Sequence, residues 1–463
     1  MTPEEFRRLG HLVVDWVADY RERIEEFPVL SQVEPGRVRS QLPALAERGD
    51  GFEALLADLD RTVVPGLTHW QHPSFFGYFP ANSSLPSVLG DLLSTGLGVQ
   101  GMLWATSPAA TELEQHLLDQ LADAMGLPAE FRGGGVVQDT ASSAALVALL
   151  AALHRTSGGK WRESGVDGDE RVYVSSQTHS SLAKAVRMAG LGEEALRSVD
   201  VVPGTLAMSA DALAERITAD LAAGLRPVLV CATIGTTGTG AVDPVRRIAE
   251  ICAAHGIWLH VDAAWAGSAA LCPEWRPLFD GVELADSYGS NAHKWLLTAF
   301  DCCLFWTRHA DVLVDALSIL PEYLRNAASE SNAVVDYRDW QIPLGRRFRA
   351  LKLWSVLRWY GLEGVREHLR GHVALAELLE GWIAADDRFE LAAPRSLSLV
   401  CLRLRAGDEA TRAAMDAVNA SGRAFVTHTV VDGRLVIRVA IGAEGTREEH
   451  VRALWEQLRS LAS

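Results

Sequence analysis

Lysine is nearly absent from this chain. Of 463 residues, 43 are lysine or arginine, and only Lys160, Lys184, Lys294 and Lys352 are lysines. Long hydrophobic runs are missing as well. The longest apolar run, Ala144 to Leu153, is about half of the roughly 20 residues that a membrane helix needs. The opening MTPEEFRRLG has no apolar signal core, so a cytoplasmic protein is expected. The six cysteines (Cys231, Cys252, Cys272, Cys302, Cys303 and Cys401) form no C-x-x-C pair. The adjacent Cys302 and Cys303 suit neither an ordinary disulfide nor a zinc site, which predicts free thiols and no structural metal. Positive charge is in deficit. A net charge of -16 disfavours nucleic acid and anionic membranes as partners.

Apolar residues are abundant, at 48%, enough for large cores. The length suggests about three structural units. Thr2, Pro3 and Glu5 form a helix start with a capping box. Phe6, Leu9, Val13, Trp16, Val17 and Tyr20 follow at helical spacing. This apolar face could pack into a local core or need another surface to cover it, such as a second subunit. From about 85 the pattern alternates. Val172–Ser175, Val228–Ala232, Trp258–Val261 and Cys303–Trp306 read as strands, and Ser142–His154 and Pro244–His255 as helices. The alternation predicts an α/β domain with a mainly parallel sheet, whose ligands sit beyond the carboxyl ends of the strands. After about 352 the pattern becomes helix, then strands. Leu397–Leu404 alternates, and Phe425–Val431 and Leu435–Ile441 flank the hairpin signal Asp432-Gly433. The expected organisation is an N-terminal helical segment, 1–84, a large α/β domain, 85–351, and a small α+β domain, 352–463. Ser318–Trp340 is weakly patterned and reads as a lid.

Several residues could carry chemistry. Lys294 lies in SNAHKWLLT, where partial burial would lower its pKa and free its amine; it could equally snorkel to solvent. Asp262 ends the apolar strand of WLHVDAAWAG; it could face a ligand crevice, cap a helix or bind a metal. In GGGVVQDTASSAALVALL a glycine-rich turn leads into a helix. Thr140 can cap it, and the amides of Ala141 and Ser142 form a natural phosphate site. The loop ATIGTTGTG lacks the G-K-[ST] of a nucleoside triphosphatase. His179 follows another strand. Taken singly, each has an ordinary explanation. Together they are the set pyridoxal phosphate requires: an amine for an imine, a carboxylate for the pyridine nitrogen, a phosphate anchor and a flat imidazole.

The segments HWQHPSFFGYFPANSS, SPAATELE, HVDAAWAGSA, NAHKWLL and DYRDWQIPLGRRFRALKLW, in this order, closely resemble the pyridoxal-phosphate-dependent aromatic-L-amino-acid decarboxylases, group II enzymes of fold type I. The resemblance covers nearly the whole chain. It implies an aspartate-aminotransferase-like large domain with a mainly parallel seven-stranded sheet, a helical N-terminal arm and a small C-terminal domain. It implies an obligate homodimer with interface active sites, and decarboxylation of an aromatic L-amino acid to an arylalkylamine.

Roles follow position by position from the resemblance. Lys294 matches the Schiff-base lysine, Asp262 the partner of the pyridine nitrogen, and His179 the imidazole on one ring face, with Ala264 on the other. Ala141, Ser142, Asn291 and His293 match phosphate contacts, and Thr233 a threonine near the cofactor. Trp70, Tyr78, Phe79 and Pro80 match an aromatic-lined substrate pocket, completed by Gln100 and Met102 of the other subunit. Gly345 matches a position where a small residue leaves room for an indole. Tyr323 matches a loop tyrosine that assists protonation of the product carbanion. Ala81 stands where several members carry a hydroxyl for the substrate carboxylate, with Asn82 or Ser83 as substitutes. Ala292 replaces a frequent proline. Aromatic aldehyde synthases share the scaffold but tend to replace the loop tyrosine or the stacking histidine, so Tyr323 and His179 favour simple decarboxylation. Trp70, Phe79 and Met102 make a poor setting for the distal carboxylate of glutamate.

Overall fold

The computed structural model describes residues 1–45, 47–319 and 334–462. Between 85 and 351 the strand–helix alternation becomes one seven-stranded sheet. Its strands are β1 (Gly135–Gln138), β2 (Glu170–Ser175), β3 (Leu196–Val199), β4 (Arg226–Thr233), β5 (Trp258–Asp262), β6 (Ser287–Asn291) and β7 (Cys303–Thr307). They lie in the order β1-β7-β6-β5-β4-β2-β3. The pairs β2–β3, β2–β4, β4–β5 and β5–β6 are parallel, and β7 runs antiparallel to both β1 and β6. Helices cover such a sheet on both faces, which is why its strands read as continuous apolar runs. Val228, Leu229, Val230 and Ala232 of β4 are fully buried. The helix Ala141–Ser157 buries Ala144 to Leu149 and Ala151 to Leu153 in the same core. Gly158, at φ 60, ends it in the left-handed cap that glycine favours.

The chain forms two compact units, grouped differently from the expected three segments. One comprises 81–374 and 393–400; the other comprises 1–80, 375–392 and 401–463. The N-terminal segment therefore shares a unit with the C-terminal strands. The Val29 amide donates to Gly422 O at 2.8 Å, the Phe76 amide to Phe425 O at 2.8 Å, and Phe75 packs on Phe425. Backbone pairing between distant segments leaves no local sequence signal. Within this unit the helix Pro3–Glu22 begins with the expected capping box between Thr2 and Glu5. A four-stranded sheet holds β8 (Phe389–Leu391), β9 (Leu399–Leu404), β10 (Thr427–Val431) and β11 (Arg434–Ala440). Asp432 and Gly433 turn the last hairpin, with φ of 49° and 73°. Two adjacent positive φ values are what a two-residue hairpin requires.

The six cysteines are buried and unbridged. Among the described residues no helix is long and apolar enough to cross a membrane. The expected lid, Ser318–Trp340, is described only at its ends, and Tyr323 lies outside the described residues. Its C-terminal end is anchored. The Tyr337 hydroxyl donates to Gly135 O at 3.1 Å, and Gln138 Nε2 donates to Trp340 O at 2.7 Å.

Just beyond that anchor lies a buried ion pair. Arg346 grips both oxygens of Glu114, at 2.5 and 2.6 Å, with the two side chains 3% and 2% exposed. Glu114 Oε1 also accepts the Val137 amide at 2.7 Å, and Arg346 Nη2 donates to Val137 O at 2.8 Å. The pair therefore fixes β1. Removing one partner strands a buried charge, at a cost of about 3–5 kcal/mol. Glu114→Ala is expected to lower unfolding stability by that order in chemical denaturation; a loss of less than about 1 kcal/mol would show that the charge finds water.

Candidate active site

Five strands deliver residues to one edge of the large sheet. The register pairs Thr233 of β4 with Asp262 of β5, and Asp262 with Gly289 of β6. These are the carboxyl ends, where an open α/β sheet binds ligands. A cavity of about 100 Å³ lies there. Thr140, Ala141, Ser142, His179, Thr233, Asp262, Ala264, Asn291 and Lys294 line it, together with Gly235, Thr237 and Trp265.

Each side chain is held from its own element. Ala141 and Ser142 open the buried helix after β1. First-turn amides have no partner within their helix, and the helix dipole adds positive potential there. Thr140 occupies the N-cap, but its side chain makes no capping bond; its hydroxyl and amide turn to Asp139 instead. His179 precedes the helix Ser180–Met188, and its Nδ1 accepts the Ser181 amide at 3.2 Å. Burial, aided by the charge of Lys294 and opposed by Asp262, holds its pKa below the ordinary histidine value. The ring is therefore neutral near pH 7, and with Nδ1 accepting it carries its proton on Nε2. Asp262 Oδ1 accepts the Ala264 amide at 2.9 Å, an N-cap-like contact that still leaves the carboxylate in the cavity wall.

Lys294 stands on a four-residue helix, Ala292–Trp295, directly after β6. The next side chain anchors it from behind. Trp295 is fully buried, packs on Trp265 at 5.6 Å, and donates from Nε1 to His372 Nδ1 at 3.0 Å. His293 is not among the residues that line the cavity. Its Nδ1 accepts the Cys302 amide at 2.9 Å, and burial beside Lys294 lowers its pKa to about 3. With Nδ1 accepting a backbone amide, the neutral ring carries its proton on Nε2.

The residues fit pyridoxal phosphate. Asn291 Oδ1 is buried with no hydrogen-bond partner among the described residues. Such a group needs a ligand or water to satisfy it. An amine and a carboxylate share the wall with a helix N-terminus, matching an aldehyde, a pyridinium nitrogen and a phosphate.

The expected substrate residues do not line this cavity. Trp70, Tyr78, Phe79 and Pro80 belong to the other unit, where Trp70 stacks on Phe75 at 4.5 Å and on Tyr78 at 5.6 Å. Gln100, Met102 and Gly345 belong to the cavity's unit but lie outside its lining. Gln100 Oε1 accepts the Arg346 amide, and the nearest atom to a Cβ built on Gly345 is Gln100 Nε2 at 3.5 Å. Gly235, Thr237 and Trp265 were missed as lining residues. ATIGTTGTG did signal a loop at a strand end, and the reason for its glycine is now plain. At φ 82° a Cβ on Gly235 would come within 2.9 Å of the Trp265 indole and 2.7 Å of Ala266.

Residues 35–405 match the Pyridoxal-dependent decarboxylase conserved domain. The chain is 48% identical to phenylacetaldehyde synthase of Arabidopsis thaliana, over 100% of this chain and 97% of that protein. It is 47% identical to tryptophan decarboxylase 2 of Oryza sativa subsp. japonica, over 100% and 95%. The crystal structure of Oryza sativa TDC with PLP and tryptamine superposes with a TM-score of 0.96 at 41% identity, covering 100% and 98% of the two chains. Rhodiola rosea 4-hydroxyphenylacetaldehyde synthase superposes with a TM-score of 0.93 at 40% identity, covering 100% and 98%. The chain belongs to the pyridoxal-phosphate-dependent aromatic-L-amino-acid decarboxylases, the group II carboxy-lyases of fold type I.

Proposed function

We propose that the chain decarboxylates an aromatic L-amino acid of the tryptophan, DOPA, tyrosine or phenylalanine class, with Lys294, Asp262 and His179 acting directly on the cofactor. The carrying observation is that these three share one cavity wall with Ala141, Ser142 and Asn291. Pyridoxal phosphate, when bound, supplies the electron sink for the bond to the carboxylate carbon. Lys294 would hold the cofactor's aldehyde end through its amine. Asp262, fixed by the Ala264 amide, keeps the pyridine nitrogen protonated and so stabilises developing charge. His179, neutral with its proton on Nε2, and Ala264 would border the cofactor ring. Ala141, Ser142 and Asn291 hold the phosphate end, and Thr233 borders the ring. Trp70, Tyr78, Phe79 and Pro80 supply aromatic surface for the substrate, with Gln100 and Met102 of a second subunit and Gly345. Exclusion of water around the carboxylate makes its loss easier.

An aromatic aldehyde synthase is the second reading, since relatives of both kinds match the chain closely. His179 and Tyr323 support simple decarboxylation. A cytoplasmic homodimer is part of the proposal. The helix Leu85–Leu97 exposes Leu85, Leu89, Leu92, Leu93 and Leu97, an apolar stripe that a second copy would cover.

Three experiments test this reading. Holoenzyme incubated with the four amino acids is expected to release amine and carbon dioxide, and Lys294→Ala to lose both turnover and the visible absorbance of bound cofactor; persistence of that band in the purified variant would sink the lysine assignment. Tyr323→Phe is expected to shift products from amine toward aldehyde, ammonia and peroxide, and an unchanged amine yield would remove Tyr323 from the protonation step. Light scattering is expected to report a dimer for the natural chain and a smaller species for Leu89→Asp; a monomer in both cases would refute the interface.

A further inference from the structure

The helix that carries Lys294 is too short to satisfy its own carbonyls. A helix leaves its last four C=O groups without internal partners, and Ala292–Trp295 has only four residues. The Thr298 amide reaches Ala292 O at 3.3 Å. The next carbonyls are satisfied from a segment more than 200 positions earlier in the chain. The Asn82 amide donates to His293 O at 2.9 Å, and Asn82 Nδ2 donates to Lys294 O itself. Ser84 donates to Leu297 O from its amide at 3.3 Å and its hydroxyl at 2.7 Å. Ser87 Oγ accepts the Ala299 amide at 2.7 Å. Asn82, Ser84 and Ser87 are each at most 1% exposed. The strap thus runs along the turn from His293 to Ala299 through five hydrogen bonds, and Asn82 supplies the two nearest the lysine.

We propose that Asn82 is a positioning residue for Lys294: its side-chain amide and backbone N–H cap the lysine turn and fix the direction in which the amine enters the cavity. This rests on the assignment of Lys294 as the cofactor lysine.

A group misplaced by about 1 Å can cost about 10²-fold in rate. In the holoenzyme, Asn82→Ala is expected to lower kcat by roughly that factor, with KM for the amino acid within about twofold of the natural value. It is also expected to move the pH midpoint of the visible absorbance of cofactor bound at Lys294, and to speed amide hydrogen exchange across 293–299 in the cofactor-free protein. Asn82→Ser retains the backbone amide and a hydroxyl donor, and should recover part of each effect. Where Asn82→Ala does not fold, the serine variant alone decides, through the same absorbance midpoint and exchange. A raised KM with unchanged kcat and midpoint would make Asn82 a substrate contact and overturn the proposal, as would variants that match the natural protein in all three readouts. Failure of the lysine assignment is separable, because it shows as an absorbance band that survives Lys294→Ala whatever Asn82 does.

Discussion

The register between β4, β5 and β6 is the constraint on which the site depends. Thr233 is level with Asp262, and Asp262 with Gly289, two residues before the turn that begins the lysine helix. Because side chains alternate along a strand, a slip of one residue would turn Asp262 to the opposite face of the sheet. The strands are buried on both faces, so such a slip would also misplace a core side chain at every other position. Stability of the sheet and alignment of the carboxylate with the lysine are therefore one requirement. The buried pair Glu114–Arg346 extends it to β1, which leads into the helix beginning at Ala141.

Electrostatics in the cavity follow from burial. His179 and His293 are both pushed toward the neutral form by desolvation, and the charge of Lys294 pushes the same way. Neutral histidines leave Lys294 and Asp262 as the opposed ionisable pair in the cavity wall. The two rings then serve different ends. His179 lines the cavity, whereas His293 ties its own backbone turn to Cys302. Both rings accept a backbone amide through Nδ1, and it is His179 that lines the cavity.

The lysine turn is assembled from β6, which directly precedes it, and two distant parts of the chain: the strap Asn82–Ser87 along it and His372 behind Trp295. A four-residue helix has no cooperative length of its own and exists only through tertiary support. Lys294 is thus a locally weak element held by strong surroundings.

Much of the site was legible because chemistry restricts residue type. Only lysine among basic side chains can form an imine, since guanidinium stays protonated; a strand-end carboxylate and a helix-start amide pair have positional signatures of their own. Strand–helix alternation likewise announced the parallel sheet, and Asp432-Gly433 its hairpin. Other features were not legible, because they depend on partners far away in the chain. The bond of Asn82 to Lys294 is of this kind. The pairing of 1–80 with the C-terminal strands rests on backbone groups, which every residue possesses and no pattern marks. The amino-acid sequence by itself determined the chemistry available, through side-chain type and local periodicity. Tertiary structure alone decided which of those groups face the cavity and which are consumed in holding it, because a hydrogen-bonding atom can be assigned only when its partner's position is known.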